Sequence, residues 1–472
     1  MDYINYLIKK GSESVSTQEI EVIQLLLQDY KNSKSYADIV EAKKYYHNQN
    51  TCIHKMMDKH LTTYTSTTVA KPKASVGLDS LGSTETCVDV RYEPYKHKVS
   101  HPVYKQVVDE KIDYIFSNPF TVTSENRTYA DLLGEVFNSK LRTLTKEWVR
   151  EGLISGQSYL HAYFEEDTLK FKLIPTVQLM PICDDDGNLE QMCHFYTRKV
   201  VKNGRLEHQE EMDLYDTKTK RHFVREGERW IPEGEEIPLL KVRGQVMELK
   251  QVPFVKLKAN FFDEPLLVLI KTLIDDLDFV KSQSQKAISK LTDTILVLKR
   301  AGGTSLEKVI ESLETAGILK TQGDCDVDAI KASLNTQDLI LHLQDTKKSI
   351  HEYAHTVGLT DKEGVNLSGI ALKLLYVGLS NDANNLIASI RESFDEMLYF
   401  VNLYLELTGK GCFYNETVDL TFTKSELLNE SEEVDTLLKL HEANLLSRET
   451  LLSKVSYVRD VAEEITKIKE GK

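Results

Sequence analysis

The sequence predicts an α+β fold in which helices surround a strand-rich middle region. Apolar residues recur at helical spacing before residue 156, at strand spacing from about residue 157 to 258, and at helical spacing again after residue 263. The 472 residues exceed one typical domain, so we expect roughly two to four structural units.

The first helical region is predicted over residues 17–57, 103–116 and 130–155, with a polar loop at 62–83. The helix over 103–116 should stop before Asn118-Pro119, because proline disfavours helical backbone at the residue before it. We interpret residues 130–155 as one amphipathic helix. Its apolar stripe consists of Leu133, Val136, Leu141, Leu144 and Trp148.

The middle region predicts a mostly antiparallel sheet. Its short alternating runs are separated by turn signals such as Asn203-Gly204. One turn contains Asp184, Asp185 and Asp186. We interpret this acidic trio as a solvated turn rather than a cation site, because no further acid or histidine follows at ligand spacing.

The second helical region consists of long helices around a small α/β insertion. Residues 265–291 form the first helix, and its sparse apolar stripe calls for neighbours from its own chain or from identical copies. The insertion is predicted as a strand at 294–300, a helix over 305–317 and a strand at 338–343, where Leu339, Leu341 and Leu343 alternate. Then follow a helix over 345–357, a loop over 360–369, a helix over 370–407 kinked near Gly378, a strand at 418–423 and a helical C-terminus.

The composition excludes several classes of protein. A formal net charge of −14 argues against a protein that coats nucleic acid. The longest apolar run, over 266–270, is far shorter than the roughly 20 residues of a membrane span, so no membrane partner is expected. The six cysteines include no CxxC pair and are interpreted as free thiols.

One motif favours a different function. Residues His351, Glu352 and His355 form HExxH, which on a helix places two zinc ligands on one face beside a general base. With Gly358 and Asp361 the pattern extends to that of a zinc metalloprotease. The context disagrees, because no neighbouring sheet or methionine turn is evident. We therefore keep the protease as the alternative and expect no metal site.

Six ordered blocks resemble those of portal proteins from tailed bacteriophages, of the kind found in long-tailed phages of Gram-positive hosts and their prophages. The blocks are Tyr45-Tyr46 with Asn50 and Ile53; 118–121 (NPFT); Gly156 with 158–164 and 171–185; 253–255 with Asn260; 273–275 (LID) with Ser282 and Ser284; and 368–373 (SGIALK). One departure is the replacement of the glycine that the family carries in the first block.

The resemblance implies a portal fold with an α/β wing, a two-helix stem carrying a small α/β clip, a long kinked helix and a helical crown. It assigns the parts as wing 1–262, stem helices 263–293 and 344–358, clip 294–343, channel loop 359–369, long wing helix and strand 370–424, and crown 425–472. On this assignment the HExxH residues lie on the second stem helix, where no zinc is expected.

The resemblance also implies a function without catalysis or cofactors. The chain would form a ring of twelve subunits at one capsid vertex, in the host cytoplasm during assembly and then in the virion. Implied partners are the terminase large subunit, head-completion or adaptor proteins, the major capsid and scaffolding proteins, and double-stranded DNA that passes without sequence-specific binding. A prophage relic with no DNA to pass is a further alternative.

Two sets of residues are the candidate sites. The channel loop and the start of the next helix would face DNA through Lys362, Glu363, Gly364, Asn366, Ser368 and Lys373. An insertion between two long helices should project from the body, so its exposed charges are candidates for partner docking. These are Glu307, Lys308, Glu311 and Glu314.

Overall fold

The computed structural model describes residues 17–50, 98–165, 168–202, 204–242, 244–291, 295–299, 326–330, 336–358, 369–424, 437–443, 445, 447 and 450–451. These residues fall into two compact units. Unit 1 is drawn from Met1–Lys43, Gln106–Val268 and Ala354–Lys472, and unit 2 from Lys44–Lys105 and Leu269–Tyr353.

The first part of the chain is mainly helical, as predicted. Its elements are α1 (Thr17–Asn32), α2 (Lys34–Tyr46), α3 (Val103–Ile115), β1 (Thr121–Ser124), α4 (Arg127–Val136) and α5 (Ser139–Ser155). The prediction of one helix over 130–155 is wrong. Asn138 interrupts it, because its side chain accepts hydrogen bonds from the backbone N of Lys140 (3.0 Å) and Leu141 (3.2 Å) and so caps a new helix.

The predicted antiparallel sheet region is confirmed as two larger sheets and a small hairpin. The strands are β2 (Gln157–Glu165), β3 (Thr168–Ile174), β4 (Leu179–Cys183), β5 (Leu189–Lys202), β6 (Arg205–Tyr215), β7 (Thr219–Glu226), β8 (Arg229–Pro232), β9 (Ile237–Pro238), β10 (Lys241–Val242), β11 (Gln245–Val246) and β12 (Phe254–Lys258). One sheet has the order β12-β2-β3, and the other has the order β4-β5-β6-β7-β8 with β9 beside β7.

Each larger sheet buries one face under helices of unit 1. Helix α5 packs on the three-stranded sheet. Helix α1 covers the six-stranded sheet, where Ile23 and Leu27 join a core with Met212, Phe223 and Trp230. On the other face of the three-stranded sheet, Tyr159, Ile174 and Phe254 form a second core with residues of the six-stranded sheet, namely Leu179, Met192 and Tyr215.

The acidic turn between β4 and β5 is largely exposed to solvent, as interpreted from the sequence, and Asp184 accepts hydrogen bonds within it. Asp184 Oδ1 accepts hydrogen bonds from the backbone N of Asp186 (3.0 Å) and Asn188 (2.7 Å), and Oδ2 accepts from Asn188 Nδ2 (3.0 Å). These bonds, above all those from Asn188, lower the pKa of Asp184 from its usual value. Its carboxylate holds the turn together.

Among the described residues, unit 2 contains most of two long helices and an antiparallel β-hairpin, beside the end of α2 and the start of α3. The long helices and the hairpin strands are α6 (Leu267–Leu291, whose first two residues belong to unit 1), β13 (Ile295–Lys299), β14 (Asp326–Ile330) and α7 (Thr336–Tyr353). The predicted strand at 338–343 is wrong, since these residues belong to α7. Leu339, Leu343, Thr346 and Ile350 form the less exposed face of α7 at helical spacing, and this longer period overrides the alternation of three leucines.

Unit 1 also contains α8 (Gly369–Leu407) and β15 (Val418–Thr421), which pairs antiparallel with β1. The predicted helix over 370–407 and the strand at the start of 418–423 are confirmed. Helix α8 is continuous through Gly378–Ser380, and the kink that the sequence predicts there stays a prediction. Most of the predicted C-terminal helices, like the insertion helix over 305–317, lie outside the described residues.

Candidate functional site

Nearly all predicted site residues lie outside the described part of the chain. This holds for the docking candidates Glu307, Lys308, Glu311 and Glu314 and for the loop residues Lys362, Glu363, Gly364, Asn366 and Ser368. Lys373 lies in the first turns of α8, but its side chain is not described. The structure does describe the strands and helices that flank the two candidate sites in the chain.

The β13–β14 hairpin forms the base of the insertion. Ile295 pairs with Ile330 and Lys299 with Asp326 in one antiparallel register. The pairing of Lys299 with Asp326 places the two ends of segment 300–325 side by side. The docking candidates therefore belong to a segment that leaves and returns at one end of a closed hairpin.

The buried carboxylate of Asp278 joins helix α6 to other residues of unit 2 through hydrogen bonds. Asp278 is 0% exposed. Its Oδ2 accepts a hydrogen bond from Asn50 Nδ2 (2.6 Å), and its Oδ1 accepts one from the backbone N of His101 (2.9 Å) and lies 2.7 Å from His101 Nδ1. A buried charge is stable only when donors surround it in this way.

Two neighbouring turns of α6 extend this arrangement. Asp275 accepts a hydrogen bond from the Tyr45 hydroxyl. Ser282 Oγ accepts one from the backbone N of Val99 (3.0 Å). We call these side chains, with their partners, the α6 polar cluster: Tyr45, Asn50, Val99, His101, Asp275, Asp278 and Ser282. Residues 275, 278 and 282 share one helix face by their spacing, so the cluster fixes how α6 is rotated.

The α6 polar cluster joins two sequence blocks that are far apart in the chain. Tyr45 and Asn50 come from the first block of the resemblance, and Asp275 and Ser282 come from the fifth. The sequence did not single out Asp278 or His101 as a pair. The available signal was the spacing of Asp275 and Asp278, since two acids at i, i+3 on a mostly buried helix face require partners.

The HExxH residues are not arranged on one helix, and this part of the sequence interpretation is wrong. Helix α7 ends at Tyr353, and His355 has a left-handed φ of 52°. In unit 1, His355 Nδ1 lies 3.1 Å from Asp382 Oδ1, and Lys111 Nζ donates to Asp382 Oδ2 (2.6 Å). Within the described ranges, no group of three or more His, Cys, Asp or Glu side chains is arranged to hold a metal ion.

One face of the six-stranded sheet carries a charged cluster around Asp213. Asp213 is 3% exposed, and it contacts His222 Nδ1 (2.7 Å) and Lys220 Nζ (2.8 Å). Burial, followed by the charge of Lys220, lowers the pKa of the nearby His161 to about 3. Burial also lowers the pKa of His194 to about 4. Lys220 thus gives Asp213 a cationic partner, whereas His161 and His194 are neutral at pH 7.

Comparison with known proteins adds an independent line of information. A sequence profile described as "Phage portal protein, SPP1 Gp6-like" matches residues 28–472. The portal protein of Bacillus phage SPP1 is 23% identical over 478 residues, which covers 99% of this chain and 89% of that relative. The portal protein of Clostridium phage phiCD119 is 23% identical over 390 residues, covering 78% and 83% of the two chains. No helix in the described segments is long and apolar enough to cross a membrane.

Proposed function

The chain belongs to the SPP1 Gp6-like family of phage portal proteins, and we propose that it forms a ring of twelve copies at one capsid vertex of a tailed bacteriophage. Double-stranded DNA passes through the ring during packaging and ejection. The protein assembles in the host cytoplasm, remains in the virion and acts without catalysis or a cofactor.

The observation that carries this proposal is the construction of unit 2. Helices α6 and α7 bracket the closed β13–β14 hairpin, and the α6 polar cluster holds α6 in one rotation. This is the arrangement expected of a stem that carries a clip. We therefore assign α6 and α7 to the stem and the insertion between them to the clip. The remaining predicted parts, with the wing from 1–262 and the crown from 425–472, are assigned on the same proposal.

The charge of the chain is consistent with a conduit for DNA. Its formal net charge of −14 disfavours tight contact with phosphates. A protein that neutralised many phosphates would bind DNA through counterion release and would slow its passage. A few cations such as Lys362 and Lys373 would guide the duplex through weak, salt-screened contacts.

Partner docking is proposed for the clip. The terminase large subunit and later the head-completion proteins would bind the segment that contains Glu307, Lys308, Glu311 and Glu314, while capsid and scaffolding proteins would contact the ring elsewhere. Reversal of these four charges should leave the ring intact and abolish DNA packaging when the variant replaces the wild-type gene.

A matched control reverses exposed charges away from the clip. Glu226 and Glu228 lie at the β7–β8 turn and are both exposed, so Glu226→Lys with Glu228→Lys should leave packaging unchanged. Normal packaging by the fourfold clip variant would place the docking surface elsewhere.

The channel loop is tested by its removal. Deletion of residues 362–366 shortens the connection before α8 without touching a described element. We expect intact rings and a lower yield of packaged DNA, measured by nuclease protection. Normal rings that package a normal amount of DNA would refute the role proposed for this loop.

A further inference from the structure

Strands β5 and β6 extend beyond the sheet to which they belong. Strand β4 pairs with β5 only as far as His194, and β7 pairs with β6 only as far as Glu211. From Thr197–Glu210 to Lys202–Arg205, the two strands pair with each other. Among the described residues they have no other strand neighbour there. Residues 197–210, which we call the β arm, therefore project about 20 Å at the usual rise per strand residue.

Near its end, the β arm exposes an apolar pair of side chains. Val201 is 72% exposed and Leu206 is 63% exposed, and the two are direct cross-strand partners. Partners in a strand pair lie on the same face, so together they form one apolar patch. A two-stranded hairpin is marginally stable in water on its own. An exposed apolar patch at its end is therefore best explained by a surface that covers it.

The β arm also differs in charge from the rest of the chain. It contains four cationic side chains and two acidic ones, whereas the whole chain has a formal charge of −14. The cations flank the apolar patch in sequence and are Arg198, Lys199, Lys202 and Arg205. A surface that matches the arm should combine exposed apolar side chains with acidic ones.

Such a surface is present on the same sheet and consists of residues 231–237, which we call the acidic ridge. Ile231 is 42% exposed and Ile237 is 56% exposed. Between them lie the exposed residues Glu233, Glu235 and Glu236. The acidic ridge therefore matches the β arm, because it has apolar residues at its two ends and negative charge between them.

Within one chain the β arm extends away from the acidic ridge. The arm leaves the sheet beyond the Glu211–Val224 pair, whereas the ridge follows the edge of β7, from Val224–Ile231 to Lys220–Ile237. A contact between them therefore needs a second copy. Two different surfaces that meet in successive copies form a head-to-tail contact, which is the type that closes into rings.

We propose that the β arm of one copy docks on the acidic ridge of the next copy in the assembled ring. This inference rests on the proposed ring and adds which surfaces join its subunits. Val201 and Leu206 would pack on Ile231 and Ile237, while the arm cations would face the ridge carboxylates.

The first test compares assembly of the full-length chain and its variants by native mass spectrometry over a concentration series. Val201→Asp with Leu206→Asp should raise the concentration needed for assembly at least tenfold. Arg205→Glu, which spares the apolar patch, should weaken assembly and should be rescued in part by Glu235→Arg. The control Val246→Asp changes a 53% exposed residue on the separate β10–β11 hairpin and should have no effect.

The second test locates the contact. A photo-reactive benzoylphenylalanine in place of Leu206 should cross-link to a peptide containing residues 231–237 of another copy, identified by mixing chains of two isotopic compositions. Unchanged assembly of the arm variants, equal damage by Val246→Asp, or cross-links to other segments would overturn the docking proposal while leaving the ring intact. A wild-type chain that stays monomeric would overturn the ring and, with it, the docking.

Discussion

Helices α6 and α8 are both long, but different interactions hold them. The first half of α6 buries Ile270, Ile274 and Leu277, but from Asp278 to Gln285 its buried positions are all polar, namely Asp278, Ser282 and Ser284. From Ile387 to Val401, α8 buries mainly apolar side chains, with Ser393 among them. The apolar ones are Ile387, Ile390, Phe394, Met397, Leu398, Phe400 and Val401.

This difference shows two ways to position a long helix. Apolar burial is non-directional, so several side chains of similar volume can satisfy the same site. Hydrogen bonds to a buried carboxylate are directional, and each missing partner leaves a desolvated group unpaired. The rotation of α6 should therefore depend on a few residues, whereas the placement of α8 should depend on the summed area of its stripe.

The largest effect is expected from Asp278→Ala. The variant leaves Asn50 Nδ2 and the backbone N of His101 without their acceptor in a buried site, which costs about 1–3 kcal/mol for each unpaired donor. Hydrogen exchange of the amides over 270–285 should accelerate by about 10²-fold or more, since about 1.4 kcal/mol corresponds to a tenfold change. Protection of α6 equal to that of the wild type would contradict the importance of the α6 polar cluster.

A somewhat smaller effect is expected from Ile390→Ala on α8. Ile390 is 1% exposed, and such truncations cost about 2–5 kcal/mol. Denaturant unfolding followed by the fluorescence of Trp148 and Trp230, both in unit 1, measures the loss. Ile390→Leu keeps the volume and should cost less than about 1.5 kcal/mol. Asp278→Asn also keeps the volume but should still lower stability clearly. Equally small losses for Ile390→Leu and Asp278→Asn would contradict the difference between α6 and α8.

A buried histidine gives unit 1 an acid response. The pKa of His161 is lowered to about 3 by burial, so below pH 6.5 the unfolded chain takes up a proton that the folded chain does not. Stability therefore falls as the pH drops from about 6.5 towards 3, by up to about 2 kcal/mol per such histidine between pH 7 and 5.

His161→Phe tests this response, because the ring stacks on Tyr163 and Phe254 and phenylalanine preserves those contacts. The tryptophan-detected unfolding midpoint of the variant should depend less on pH than that of the wild type. His194, whose pKa is lowered to about 4, should supply much of the remaining slope. Identical pH profiles of the two proteins would show that His161 contributes nothing.

The smallest effect is expected from Asp276→Ala, the matched control for Asp278→Ala. Asp276 lies on the same helix and pairs with His342 at 3.0 Å, but its side chain is 43% exposed. Exposed pairs contribute about 0–1 kcal/mol, so exchange over α6 should change by less than about tenfold. A loss of exchange protection as large as that of Asp278→Ala would mean that exposed acids stabilise α6 as much as the buried one.

Periodicity predicted the long elements well. The apolar stripes of 265–291 and 370–407 located α6 and α8, and the alternating runs with their turn signals located the antiparallel strands. These signals repeat over many residues, so a single exception does not hide them. The resemblance blocks also pointed to Tyr45, Asn50, Asp275 and Ser282, which the structure brings together.

Local and long-range details were less accessible to the sequence. One capping side chain, Asn138, divides a helix that the stripe predicts as continuous. Three alternating leucines suggested a strand inside α7, because a short run cannot separate the two periods. The contact of His101 with Asp278 joins residues 177 positions apart, and no local pattern reports such a pairing.

The central claim, that the chain is a ring-forming portal protein, is tested most directly by the native mass of the purified wild-type protein together with negative-stain images. Twelve copies of 53.9 kDa predict a particle of about 650 kDa that appears as a ring with a central channel, as closed head-to-tail contacts require. A protein that remains at the mass of one chain at high concentration, and shows no rings, would contradict the claim.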